Sequence, residues 1–311
     1  MKPTRDGCGE ALLDLGRRDS RIVVLSADLT ESVRANVFKA RFPERFFSFG
    51  ISEQDMMSAA AGFALEGKIP FACTFAVFAS GRAWDQIRTS MAYMNLNVNI
   101  IGSHGGITVG PDGATHQALE DITLMRVLPN MSVVVPCDYY QAKKAVEAAA
   151  YYPGPVYLRF TRNKVPFLTS EDDVFELGKA QIMRDGSDIT LVASGQIVHL
   201  ALKAADILKE DKISARVINL HTVKPLDRNA LLKAAKDTGA ILSIEEHQIF
   251  GGMGSAIAEF ISENRPVLLK LMGIRDRFGR SGESDILLEA FGLTSEYIAK
   301  EAKELLKKKQ L

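Results

Sequence analysis

Short apolar runs, many of them β-branched, alternate along this chain with longer stretches whose apolar positions recur every three or four residues. Residues 21–25, 71–75, 98–101, 131–135 and 155–160 predict strands, and 52–65 and 83–94 predict helices. Asp138 reads as an N-cap opening an Ala-rich helix that runs to Ala150. The pattern breaks over 164–185, where Pro166, Ser170-Glu171-Asp172-Asp173 and Gly178 mark a connection. A second alternation follows, with strands at 188–193, 215–220, 241–244 and 266–271. Its helices fall at 196–208, 229–237, behind Gly251-Gly252-Met253-Gly254 to about residue 260, and at 295–308. Strand–helix alternation of this kind predicts two α/β three-layer domains with mostly parallel sheets. Their expected bounds are 1–168 and 185–311, joined by a linker over 169–184. No internal repeat is visible.

The chain has 311 residues, 47% of them hydrophobic, enough for two cores. Lys+Arg and Asp+Glu both number 38, and this zero net charge argues against a general nucleic-acid binder. Cys8, Cys73 and Cys137 are too few and too scattered for a disulfide framework or a zinc site. No stretch approaches a membrane span and no apolar signal core follows Met1, so a cytoplasmic protein without membrane contact is expected.

Three segments behind strand ends concentrate candidate chemistry, which is where open α/β sheets bind ligands. They are residues 26–32, containing Asp28 and Ser32; Gly50-Ile51-Ser52-Glu53-Gln54; and the glycine-rich stretch 102–117, containing His104, Asp112 and His116. Each has a plain structural alternative. Glu53 could simply favour a helix N-terminus, Asp28 could serve a turn, and Phe75 and Phe78 could be core. The two histidines lie among glycines, poor core material, and twelve residues apart without a metal-ligand register. The run 251–254 could bind an anion or merely turn the chain.

Taken together these segments resemble the transketolase family over nearly the whole chain, matching its pyrimidine-binding and C-terminal domains. The resemblance rests on Ser26-Ala27-Asp28-Leu29-Thr30, Gly50-Ile51-Ser52-Glu53-Gln54, Thr74-Phe75-Ala76-Val77-Phe78, Arg82-Ala83-Trp84-Asp85-Gln86-Ile87-Arg88, the 102–117 loop and Phe160-Thr161-Arg162. Thr222-Val223-Lys224-Pro225-Leu226-Asp227 and Glu245-Glu246-His247 extend it into the second half. It implies an enzyme that uses thiamine diphosphate. Glu53 would be the catalytic carboxyl sharing a proton with ring nitrogen N1′, Phe75 and Phe78 would stack on the ring, and Asp28 would line the cofactor pocket. Arg5, Ser32, His104 and Arg162 would hold a sugar phosphate. Asp112 would read a substrate hydroxyl, and His116, a glutamine in some relatives, would lie near the two-carbon unit. Gly81 stands where some relatives place a third aromatic, so that Arg82 or Trp84 completes that wall or the wall is left thinner.

The family's Gly-Asp-Gly motif with its downstream Asn, which holds the metal and the diphosphate, has no match here. The resemblance therefore implies a separate N-terminal subunit carrying thiamine diphosphate's metal end, with Mg2+ or another divalent cation. It also implies a two-plus-two heterotetramer moving a ketol unit between sugar phosphates of the pentose phosphate pathway. Alternatives within the class are a 1-deoxy-D-xylulose-5-phosphate synthase-like or 2-oxo acid dehydrogenase β-like subunit. Outside it stands a non-catalytic assembly paralogue.

Overall fold

The computed structural model describes residues 1–309. Its first sheet collects β1 (Ile22–Ser26), β2 (Phe46–Ser48), β3 (Ile69–Phe75), β4 (Asn99–Ser103), β5 (Ser132–Val134) and β6 (Val156–Arg159). Its second collects β7 (Gln181–Arg184), β8 (Ile189–Ala193), β9 (Ala215–Asn219), β11 (Ala240–Gln248) and β12 (Leu268–Ile274). A further strand, β10 (Thr222–Lys224), leaves the second half of the chain and joins the first sheet. The spatial orders are β10-β5-β6-β4-β3-β1-β2 and β12-β11-β8-β9-β7. Neighbours are parallel except β7 beside β9 and β10 beside β5. Strands β1, β3, β4, β8 and β9 are buried throughout, which is why their sequences are mainly apolar on both faces rather than alternating. The two α/β domains expected from the alternation are present.

Five features depart from the sequence pattern. Strand β7 lies inside the stretch read as a linker, and β10 is too short to announce itself. Helix α1 (Thr4–Arg18) escapes notice because Gly7, Gly9 and Gly16 lower its propensity. Packing overrides that cost: a Cβ on Gly7 would lie 2.3 Å from the Tyr139 carbonyl oxygen, and one on Gly16 would meet the rings of Phe38 and Phe42 at 2.6 Å. The helix predicted over 83–94 is instead a short α-turn, Trp84–Gln86, running into a π-helical stretch, Ile87–Ala92. Strand β11 continues past residue 244 through Glu245, Glu246 and His247, all buried. Their polarity breaks the apolar pattern, yet each has polar partners inside the fold.

The cap at Asp138 is as expected. Its carboxylate accepts from the Gln141 amide at 2.9 Å, opening α4 (Tyr139–Ala150), and also from the Leu168 and Thr169 amides. The core does not divide with the sheets. Met56, Met57, Ile100, Val133 and Tyr157 share one apolar cluster with Val192, Ile218, Leu231, Met253 and Ile257. No helix among the described residues is long and apolar enough to cross a membrane.

Candidate active site

Parallel strands bring their C-terminal ends to one edge, and here four neighbours do so. Strand β1 delivers Asp28 and Ser32, β3 delivers Phe75, β4 delivers His104, and β6 leads to Arg162. Glu53 arrives from the side as the first residue of α2 (Glu53–Leu65), whose N-terminal dipole favours a carboxylate. Gly50, at φ 63°, makes the turn from β2 that points it inward. Asp28 and His104 themselves adopt left-handed φ values of 56° and 60°, rare for side-chain-bearing residues. Such strain is held where strands end and the site begins.

One end of the site is aromatic and acidic. The Phe75 and Phe78 rings are nearly parallel, 14° apart in plane with centroids 5.9 Å apart. His116 turns its ring edge-on to Phe78 at 5.4 Å and to Phe75 at 6.3 Å. Glu53 is 3% exposed, and both its carboxylate oxygens accept from Arg82 Nη1 at 3.2 Å. The Arg82 guanidinium also lies 4.1 Å above the Phe78 ring. Of the two candidates for the wall near Gly81, it is Arg82 that faces this space. Trp84 turns away and donates its indole N–H to the Leu124 carbonyl at 2.8 Å.

The other end is cationic. Arg5 Nη1 donates to the Ser32 carbonyl at 2.8 Å and approaches His104 Nε2 at 3.3 Å. Ser32 thus contributes its backbone rather than its hydroxyl. Arg162 Nη1 pairs with Asp112 at 3.2 Å, and Arg34 pairs with Asp6 at 2.6 Å. Burial, then the charges of Arg5 and Arg162, push His104 down to about 3, so its imidazole is neutral at neutral pH. Arginine only donates, so Nε2 accepts and Nδ1 carries the proton, donating to Ser103 Oγ at 2.8 Å. Burial, followed by the charge of Arg34, also lowers Arg5, whose buried Nε has no hydrogen-bond partner among the described residues. Unmet positive charge of this kind calls for an anion.

His104 stacks on Phe75 at 3.9 Å and thereby joins the two ends. The structure brings together Arg5, Ser32, Glu53, Phe75, Phe78, His104, Asp112, His116 and Arg162, whereas Asp28 stands exposed at the same sheet edge without a hydrogen bond to any of them among the described residues. Sequence reasoning missed Arg34, because a lone arginine outside any motif carries no signal. It also missed the second half's grip on the glycine-rich loop. Glu246 accepts from the Thr108 amide at 2.6 Å, and Ser284 donates its hydroxyl to the Thr108 carbonyl at 2.9 Å. Buried Arg159 ties Asp121 to the Ala118 and Glu246 carbonyls. The run 251–254 is already served: Glu245 accepts from the Met253 and Gly254 amides at 2.7 and 2.8 Å, so the acceptor there is internal. Among the described residues no three His, Cys, Asp or Glu groups stand together to hold a metal ion.

An acidic-aromatic slot beside a cationic subsite, at the strand ends of the first of two α/β domains, defines a candidate site for a ligand with a flat ring and an anionic group. Residues 1–167 match the family described as "Transketolase, pyrimidine binding domain", and 178–298 match "Transketolase, C-terminal domain". The chain belongs to the transketolase family. It is 47% identical to a protein of Methanocaldococcus jannaschii provisionally named a transketolase C-terminal section, covering 99% of this chain and 97% of that one. It is 43% identical to the 6-deoxy-6-sulfo-D-fructose transketolase subunit SqwH of Clostridium sp. (strain MSTE9), covering 98% and 95%. A solved structure titled as a split gene transketolase, inactive beta4 tetramer, superposes with a TM-score of 0.93 at 45% identity, covering 99% of both chains.

Proposed function

We propose that this chain is the C-terminal subunit of a thiamine-diphosphate-dependent transketolase. It would transfer a two-carbon ketol unit from a ketose phosphate to an aldose phosphate, as in the pentose phosphate pathway of the cytoplasm. A separate subunit would carry the diphosphate and its divalent metal, in a two-plus-two assembly. The observation that carries this reading is the pairing of Glu53, at a helix N-terminus beside two parallel phenyl rings, with an arginine–histidine subsite joined to it through Phe75.

That donor set fits an aminopyrimidine: flat apolar faces for the ring and one buried carboxyl for a ring nitrogen. Thiamine diphosphate, when bound, supplies a carbon nucleophile and an electron sink for breaking and remaking a carbon–carbon bond. Glu53 would hold the shared proton at N1′. Phe75 and Phe78 would cover the ring and exclude water, with Asp28 at the pocket's rim. Arg5, Arg162 and the Ser32 segment would grip the terminal phosphate, and neutral His104 would donate or accept there without adding charge. Asp112 would accept from a substrate hydroxyl once Arg162 turns to the phosphate, and His116 would hydrogen-bond the two-carbon unit. The sulfonate named in one relative's substrate is also an anion on a sugar, which agrees with a subsite built for terminal negative charge.

Copurification identifies the partner, and the reconstituted pair is assayed for ketol transfer from xylulose 5-phosphate beside pyruvate decarboxylation. Ketol transfer by the pair, absent from either chain alone, is the expected outcome. Turnover of pyruvate only would replace this reading with a dehydrogenase- or synthase-like one, and no turnover by an intact pair would favour the assembly paralogue.

A further inference from the structure

We propose that Arg82 is a positioning residue that locks Glu53 in the cofactor-free chain and must release it when an aminopyrimidine ring docks. The inference rests on the function proposed above and adds an occupant that the ring displaces. One guanidinium nitrogen lies 3.2 Å from both Glu53 oxygens, so it sits across the front of the carboxylate rather than at one edge. The same guanidinium covers the Phe78 face, which is the other surface a docking ring needs. Arg82 therefore fills, with its own side chain, the angle between carboxyl and phenyl ring.

Geometry makes the two occupancies exclusive. A ring nitrogen can reach the Glu53 carboxyl only across the front that Arg82 Nη1 now covers at 3.2 Å from both oxygens. The lock is also built to open. Arg82 is the last residue of α3 (Ala76–Arg82), and its side chain is 50% exposed against 3% for Glu53. Beside it, a Cβ on Gly81 would find nothing within 4 Å, which leaves room for the guanidinium to swing clear. A half-exposed ion pair is weak, so its release changes cofactor affinity by about three- to fivefold, not by orders of magnitude. The advantage is to a half-site: a buried carboxylate without its ring would otherwise stand unpaired.

Two measurements decide it. In the cofactor-free full chain, thermal melts of wild type, Arg82→Met, Glu53→Gln and the double variant form a cycle. The expected result is that Arg82→Met lowers Tm in the wild-type background and has little effect beside Glu53→Gln. In the complex reconstituted with the partner subunit, thiamine diphosphate is titrated calorimetrically. Arg82→Met, which keeps the apolar stem over Phe78, should bind about three- to fivefold more tightly than wild type, and Arg82→Lys should not. A residue with a merely structural role would not tighten binding when removed. Additive effects in the cycle, or equal or weaker binding by Arg82→Met, overturn the lock alone. A wild-type complex that binds no thiamine diphosphate overturns the functional reading, while the cycle still reports whether the pair exists.

Discussion

Glu53 is the side chain on which the proposed chemistry depends most directly. Removing its charge while keeping its shape, Glu53→Gln, should lower turnover of the reconstituted complex by at least about a hundredfold, the usual scale for a general acid–base group. Assembly, followed by size-exclusion chromatography, should be unchanged; near-normal turnover would refute the proton-sharing role. A second residue-scale outcome concerns acid. His104 is held at about 3 and His221 and His247 at about 4, in each case chiefly by burial. The unfolded chain takes up protons on these rings below about pH 6.5, and the fold does not until far lower. Stability is therefore full above that value and is lost as pH falls from about 6.5 towards 4. Glu245, raised to about 7 by burial, works in the opposite sense, as do Glu246 and Glu120, whereas His199 and the lowered carboxyls of Asp19, Glu10, Asp185 and Asp237 add to the loss in acid. Melting temperatures between pH 4 and 8 should fall on the acid side, and His104→Asn should flatten that slope. The residues legible in the sequence were those inside motifs with a fixed order of types. Arg34 lies outside any motif, and the Arg82–Glu53 contact joins positions 29 apart, so both needed three dimensions to be seen.

Elements were legible wherever burial was uniform. The apolar runs of β1, β3, β8 and β9 and the periodic α5 (Val198–Glu210) and α6 (Arg228–Thr238) needed no tertiary knowledge. They failed where packing reverses a local preference. Helix α1 is helical because α4 and neighbouring rings press against it, not because its glycines favour a helix. Gly7→Ala, which ordinarily improves a helix, should here destabilise by about 1–3 kcal/mol, since the new methyl meets backbone that cannot yield cheaply. Chemical denaturation checks the sign: a stabilised variant would show that the α1–α4 contact is loose. The buried polar tail of β11 failed for a related reason. Glu245 and Glu246 are satisfied by amides of the 253–254 and 107–109 segments, partners that no local window contains.

At the scale of the whole molecule, two sheets share one apolar cluster and the second half lends a strand to the first sheet. Heating should therefore give a single cooperative transition by calorimetry, with calorimetric and van't Hoff enthalpies in agreement. Two resolved transitions would mean that the shared cluster contributes little. The two alternations in the sequence announced two units and gave no hint of this sharing, because β10 is three residues long and its partner strand lies some ninety residues earlier. The crossing of β10 also bears on where such a polypeptide tolerates being cut. Severing it between residues 168 and 185 would strip the outer strand from β5 and expose backbone donors and acceptors that invite aggregation.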